Sequence, residues 1–382
     1  MDSPIFGSSI KTVLVTGGNG CLGKFLVDIL REKMPFLETI RIFDRIPRDD
    51  VGDASRTTFQ GPAAESVKMK YLVGDVRDTD ALSRAVRGVD CVFHTAGVVD
   101  VAMFPDDPLM WDVNVRGTQN LVEACFAENV PYLVYTGSVS AILGLDRLSN
   151  VSESDAPKPG SWILGAYGET KSFAEQIVLD ANNIPLADNT HKLRTICLRP
   201  TTFYGEGDTT NIGRVLSITK HCSNGTLFRV GNERDTALHQ TYVGNVAWAH
   251  IVALEALMKN PDRCAGQSFF ITDNTPITGM SALAQPFLEN CGMKMASFTI
   301  PLVLMLYLYT AIAFVLRVVR HFRPEWKAPA TVSAASPTQF RFMGMRFSFS
   351  REKAEKLLGY QPLFSYEDSV RRCGPFYKAH VN

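Results

Sequence analysis

Tyr167 and Lys171, in the stretch Ala166-Tyr167-Gly168-Glu169-Thr170-Lys171, stand four residues apart and share one face if the segment is helical. A phenol titrates near pH ~10, too high for a general base at neutral pH. A cation one turn away favours the phenolate and brings it towards working pH. Such a pair can take a proton from a substrate alcohol while hydride leaves the same carbon. Ser138 closes Tyr135-Thr136-Gly137-Ser138, twenty-nine residues before Tyr167, and can hold the substrate oxygen. Ser140 is its rival for that role.

The elements that would position these groups come first in the chain. Thr16-Gly17-Gly18-Asn19-Gly20-Cys21-Leu22-Gly23 follows a β-run and opens a helix. Gly17 allows a tight turn, Gly20 lets the backbone approach a pyrophosphate, and Gly23 lets helix and strand pack closely. The amides of Cys21 and Leu22, at the start of the helix, then face the phosphates. Asp44 ends the second strand, twenty-one residues after Gly23, where an acid accepts from both adenine-ribose hydroxyls. A carboxylate there repels a 2′-phosphate, so the spacing predicts NAD rather than NADP; Arg45 and Arg48 nearby act against that preference. Asp75 and Val76 suit the adenine, and Thr95 and Ala96 lie along the cofactor. Tyr167 and Lys171 would touch its nicotinamide end, and Pro200, ending a later strand, is a further contact. His94 reads as a packed histidine. No metal-ligand spacing is present.

The chain has 382 residues, with Lys plus Arg and Asp plus Glu both at 39 and 46% apolar residues. It has enough apolar residues for a large core, and its balanced charge offers nothing to nucleic acid. The eight cysteines, without CxxC spacing, read as buried thiols of a reducing compartment. The start MDSPIFGSSIK lacks a secretory pattern. Strands are predicted at 12–16, 39–44, 70–75, 91–96, 132–138, 195–200 and 268–273, with helices near 21–33, 78–86, 111–128, 167–181, 212–222 and 242–259. This is an α/β fold, a doubly wound parallel sheet with a smaller C-terminal substrate lobe. The expected division is 1–200 for the NAD-binding domain and 201–382 for the lobe, with one helix and one strand of about 242–273 returning to the first.

Residues 295–316 carry no charge, and a membrane-associated segment is expected at about 298–318. The basic residues after it would place 317 onward in the cytosol if it spanned. The tail FSREKAEKLLGYQP would then be parted from the domain it closes. A monotopic anchor, or a hairpin bent at Pro301, is therefore preferred over a span or a core helix.

TGGNGCLG, HTAG, YTGS and YGETK resemble the extended short-chain dehydrogenase/reductase family, whose cofactor domain is a Rossmann fold. VDCVFHTAGVVDV, NVRGTQNLVEAC, LRPTTFYGEGD, YVGNVAWAHIVALEAL and GQSFFITDNTP narrow the resemblance to 3β-hydroxysteroid dehydrogenase/Δ5-Δ4 isomerase. That resemblance implies NAD-dependent oxidation of a steroid 3β-hydroxyl by Tyr167, Lys171 and Ser138, then migration of a double bond. Asp273 is the candidate isomerase base, or it simply ends a strand and caps a turn; Asn274 stands where a second acid is expected. Also implied are a steroid or sterol substrate, contact with membrane lipid, and a homodimer. So is a cytosol-facing membrane location, the endoplasmic reticulum before the mitochondrion. The alternatives are a decarboxylating sterol-4α-carboxylate 3-dehydrogenase, a nucleotide-sugar epimerase or dehydratase, and a non-catalytic NAD-binding scaffold.

Overall fold

A computed structural model describes residues 10–47, 66–232, 235–323, 325–326 and 335–381. The start of the chain, Arg48 and most of the polar linker at 323–340 lie outside the described residues. The first half runs β1 (Thr12–Thr16), α1 (Cys21–Lys33), β2 (Thr39–Asp44), β3 (Lys68–Val73), α2 (Thr79–Val86), β4 (Cys91–His94), α3 (Asp107–Met110), α4 (Gly117–Ala127), β5 (Tyr132–Thr136), β6 (Leu148–Val151), α5 (Ala166–Asp180) and β7 (Arg194–Pro200). The second runs β8 (Thr202–Tyr204), α6 (Ile212–Cys222), β9 (Thr226–Val230), β10 (Ala237–Leu238), β11 (Gln240–Tyr242), α7 (Val243–Lys259), α8 (Pro261–Cys264), β12 (Gln267–Ile271), α9 (Met280–Asn290), β13 (Lys294–Ile300), α10 (Leu302–Phe322), α11 (Pro337–Met343), β14 (Arg346–Phe349), α12 (Glu352–Leu358) and α13 (Tyr366–Val381).

The seven expected strands form one parallel sheet in the order β12-β7-β5-β4-β1-β2-β3. Alternation along each strand decides which helices it meets. Val13, Val15, Phe93, Val134, Ile196 and Leu198 join a core with α1 and α7. Leu14, Val92, Leu133, Tyr135 and Cys197 join the opposite core with α2, α4 and α5. The strand order reverses between β1 and β4, and such a reversal opens a crevice at the carboxyl ends of the strands. The glycine loop after β1 lies at that crevice.

Beyond residue 200, β12 is the outer strand beside β7, and α7 packs on α1. The helices α6, α9 and α13 pack on one another and on β9 and β13. Their Leu216, Phe287 and Tyr377 extend the α1–α7 core without a break. A third cluster joins Val139, Leu143 and Ile163 to Met345, Phe347 and Phe349, so the late chain covers the segment after β5.

Two expected elements differ in outline. The helix expected at 111–128 begins as a π-helical turn, Trp111–Arg116, and becomes α-helical only from Gly117. The apolar segment is displaced from 298–318 to Leu302–Phe322, and it is one unbroken helix rather than a hairpin. Phe298, Thr299 and Ile300 instead belong to β13, and Thr299 and Ile300 stand in register with Arg229 and Val230 of β9. Pro301, with no amide to donate, stands immediately before α10. Arginine is a good helix former, so the helix continues past Arg317 and Arg320. Only 11% of its apolar stretch is buried, which removes the core-helix reading.

Candidate active site

The glycine loop is tied to the end of β2. Gly17 N donates to Phe43 O at 2.8 Å, and the Asp44 carboxylate accepts from Asn19 N at 2.9 Å and Ile46 N at 3.0 Å. Two backbone amides thus orient Asp44 while leaving it capacity to accept more. Gly17 has φ +67°, and a Cβ there would meet Ala96 Cα at 2.7 Å; one on Gly23 would meet Gly17 O at 2.2 Å. The loop therefore closes only without side chains. No side chain caps the amino end of α1, whose first amides belong to Cys21 and Leu22. This is a cradle that fits a pyrophosphate. The Cys21 thiol faces away from it, donating to Glu206 O at 3.5 Å.

The adenine side is less as expected. The Asp75 carboxylate binds Arg77, accepting from its backbone N at 2.9 Å, Nε at 3.0 Å and Nη2 at 2.7 Å. The Arg77 contact holds its carboxyl below the usual range. The Val76 side chain is buried against α4, so close that a Cβ on Gly117 would meet it at 2.5 Å. Only the backbone of Val76 is left to face a ligand.

Behind β4 the side chains are used internally. Thr118 Oγ1 must donate to Asn114 O (2.6 Å), so His94 Nε2 donates to Thr118 Oγ1 (3.0 Å) and His94 Nδ1 accepts from Thr16 Oγ1 (2.7 Å). Burial holds this ring neutral, with its pKa lowered to about 3. His94 is a packed residue. Thr95 Oγ1 donates to Thr16 O at 2.7 Å and Ala96 N to Thr16 Oγ1 at 3.3 Å, which fixes both along the crevice. Pro200 is buried at the end of β7, in register with Ile271. Asn114, not foreseen, ties the same loop to α5: it accepts from Val98 N at 2.7 Å and donates to Thr170 Oγ1 at 3.1 Å. Its burial inside the π-helical turn is the signal, and the sequence alone does not carry that.

Ser138, Tyr167 and Lys171 come together at the end of β5 and the start of α5. Ser138 is buried, accepts from Ser140 N at 3.1 Å and interacts with the Tyr167 phenol. Of Ser138 and its rival Ser140, Ser138 is the one against the Tyr167 phenol. Burial raises the Tyr167 pKa, and the Ser138 hydroxyl offsets part of the rise. The Lys171 ammonium is not directed at the phenol. It donates to Thr136 O at 2.6 Å and lies 4.5 Å from the centre of the Tyr135 ring. Burial lowers its pKa to about 8. The arrangement can hold an alcohol oxygen, accept its proton and present a cation beside it.

Asp273 does not join this group. Its buried carboxylate accepts from Tyr242 N at 2.8 Å, Asn245 Nδ2 at 2.8 Å and Thr275 N at 2.9 Å, closing the turn before α7. Three donors tie this carboxylate into the turn, which is the capping role open to it beside that of isomerase base. Asn274 Oδ1 accepts from Arg351 Nη1 at 2.9 Å.

Residues 14–303 match the family described as 3-beta hydroxysteroid dehydrogenase/isomerase. The chain belongs to this family. Within it, the chain is 32% identical to 3 beta-hydroxysteroid dehydrogenase type 7 of Homo sapiens, over 94% of this chain and 93% of that one. It is 30% identical to short-chain dehydrogenase/reductase family 42E member 1 of Danio rerio, over 94% and 87%. Among solved structures, gox2253 aligns with a TM-score of 0.67 at 24% identity, covering 97% of this chain and 98% of that one. The Thermus thermophilus UDP-glucose 4-epimerase complex with NAD aligns at 0.64 and 20%, covering 96% and 99%. These two likenesses concern the fold.

Proposed function

We propose that this chain oxidises the 3β-hydroxyl of a membrane-held steroid or sterol to the ketone. The observation that carries the reading is Ser138, Tyr167 and Lys171 gathered at the mouth of a dinucleotide cradle, in a chain of the 3β-hydroxysteroid dehydrogenase family. NAD is the cofactor, and when bound it supplies the hydride acceptor. Gly17, Gly20 and Gly23 with the amides of Cys21 and Leu22 hold its pyrophosphate. Asp44 takes the adenine ribose, and Lys171 the nicotinamide ribose. Ser138 Oγ orients the substrate oxygen, and the Tyr167 phenolate receives the hydroxyl proton at Oη as hydride leaves carbon 3. Residues 201–382 supply mainly the substrate lobe.

The engagement of Asp273 by three donors and of Asn274 by Arg351 favours oxidation without double-bond migration. The product of such an enzyme is the unrearranged 3-ketone, or a ketone that sheds a 4-carboxylate. The outward face of α10 supports contact with lipid, as Val303, Leu304, Tyr307, Phe314, Val315 and Val318 are all exposed. Arg317, Arg320 and Arg323 at its end suit anionic headgroups. A cytosol-facing enzyme on the endoplasmic reticulum fits this reading.

The test offers purified protein and NAD a Δ5-3β-hydroxysteroid and a 4α-carboxysterol, following reduced cofactor and conjugated enone separately. Reduced cofactor is expected with at least one substrate, and Tyr167→Phe should lower kcat by about 10²–10⁴ while still binding NAD. Full activity in Tyr167→Phe removes the mechanism, and no turnover with any sterol removes the substrate class.

A further inference from the structure

One turn beyond Lys171, α5 carries a third group at the same helical spacing, Glu175. Its carboxylate is gripped by Arg199 of β7: Arg199 Nε donates to Oε2 at 2.8 Å and Oε1 at 3.1 Å, and Nη2 to Oε1. Cys197 Sγ donates to Oε2 at 3.3 Å. Both charged side chains are nearly enclosed, with exposures of 11% for Arg199 and 6% for Glu175. A buried ion pair is a weak source of stability, because desolvation cancels most of the attraction. Its position next to a buried ammonium calls for another reason.

The groups around Lys171 are His94 from β4, Tyr135 and Thr136 from β5, Glu175 from α5 and Cys197 from β7. Thr136 O and the Tyr135 ring face supply partial negative charge, and among the described residues Glu175 supplies the full one. Arg199 grips that carboxylate from β7, and the carboxylate's Oε2 lies 3.3 Å from where a Cβ on Gly137 would stand, next to the Thr136 carbonyl that holds Lys171.

We propose that Glu175, fixed by Arg199, is a positioning residue that keeps Lys171 charged at working pH. Burial pulls the lysine down and the Glu175 carboxylate opposes it, leaving it at about 8. From that value a small loss of negative field discharges it at neutral pH. Glu175 touches neither reacting atoms nor cofactor; it acts through Lys171. The proposal rests on the reading above only for the contact of Lys171 with the ribose of NAD.

The test is the pH dependence of NAD binding, measured by calorimetry from pH 6 to 9.5 without any steroid, so that a wrong substrate class leaves it intact. Wild-type affinity should fall on the alkaline side with a midpoint near the lysine's, and Lys171→Met should remove that limb. Glu175→Gln should move the midpoint down by about one pH unit. That variant also strands Arg199, so a second one, Glu175→Gln/Arg199→Met, removes both charges, an exchange that buried pairs often tolerate. The midpoint should stay lowered in it, and Glu175→Asp should restore it in part. A double variant with the wild-type midpoint overturns the proposal and makes the pair structural only. A limb that persists in Lys171→Met overturns it as well.

Discussion

Lys171 and His250 meet on the two sides of one residue, Thr136. The carbonyl of Thr136 accepts from Lys171 Nζ at 2.6 Å, and its hydroxyl donates to His250 Nε2 at 2.7 Å. The ring can accept there because its Nδ1–H donates to Val246 O at 2.8 Å, one turn back in α7. The histidine of YVGNVAWAH thus buttresses the strand end that holds the lysine.

That arrangement needs a neutral ring. Burial lowers the pKa of His250 to about 4, that of His239 to about 4 and that of His94 to about 3, against 6.5 for a free histidine. The unfolded chain therefore binds more protons between pH 6.5 and about 4. Stability is fully present above 6.5 and declines as pH falls through that window, by several kcal/mol in sum. Thermal unfolding followed from pH 7.5 to 4.5 should show the loss. His250→Gln, which keeps an acceptor for Thr136, should have a shallower slope; an unchanged slope would contradict the assignment of His250.

Asp44 is oriented by Asn19 N and Ile46 N and precedes Arg45. Asp44→Ala should weaken NAD binding at least about tenfold, since each tenfold is only ~1.4 kcal/mol and two ribose hydrogen bonds are lost. Removing the carboxylate also removes its repulsion of a 2′-phosphate, so the ratio of NADP to NAD affinity should rise. Calorimetric titration with both cofactors decides it, and a ratio that stays fixed refutes the ribose role.

Of the two roles open to Asp273 in the sequence, isomerase base or turn cap, the cap gives a stability prediction. Asn in its place keeps one acceptor oxygen but turns an NH₂ towards a backbone or side-chain donor. Asp273→Asn should cost about 1–3 kcal/mol and lower the melting temperature by several degrees, with NAD affinity unchanged. A variant with wild-type melting that loses only enone formation would return Asp273 to the isomerase.

The sheet and the cradle were legible because their signals are local. Alternating apolar residues mark each strand, and the glycines, the helix start and Asp44 fall at fixed offsets. Tyr167 and Lys171 were legible for the same reason, as a helix fixes their spacing. His250 and Glu175 were not, because each takes its meaning from a partner distant in the chain: Thr136 is 114 residues from His250 and Arg199 is 24 from Glu175. The face taken by the Val76 side chain was not legible, because a residue after a strand can turn to either face, and the close approach of Gly117 decides it here.

The same limit applies to α10, whose composition permits a span and whose neighbours argue against one. Leu302 lies on Gly344, Tyr309 packs at a tilt against Phe340 with ring centres 4.8 Å apart, Ala313 and Leu316 are buried with Met103, and the Arg320 guanidinium sits 4.6 Å from the Phe104 ring centre. A helix touching the body at its first, middle and last turns lies along it, so its outer face can enter only one leaflet. Cysteines placed at Lys294 and Arg341, on either side of α10, should therefore both react with a membrane-impermeant maleimide added outside vesicle-bound protein. Protection of one of the two would mean a crossing. Leu304→Glu/Phe314→Glu/Val318→Glu should release the protein from vesicles and leave NAD binding intact. Replacing Arg317 and Arg323 by Gln should weaken binding to anionic vesicles by about 1 kcal/mol each, an effect that neutral vesicles should lack.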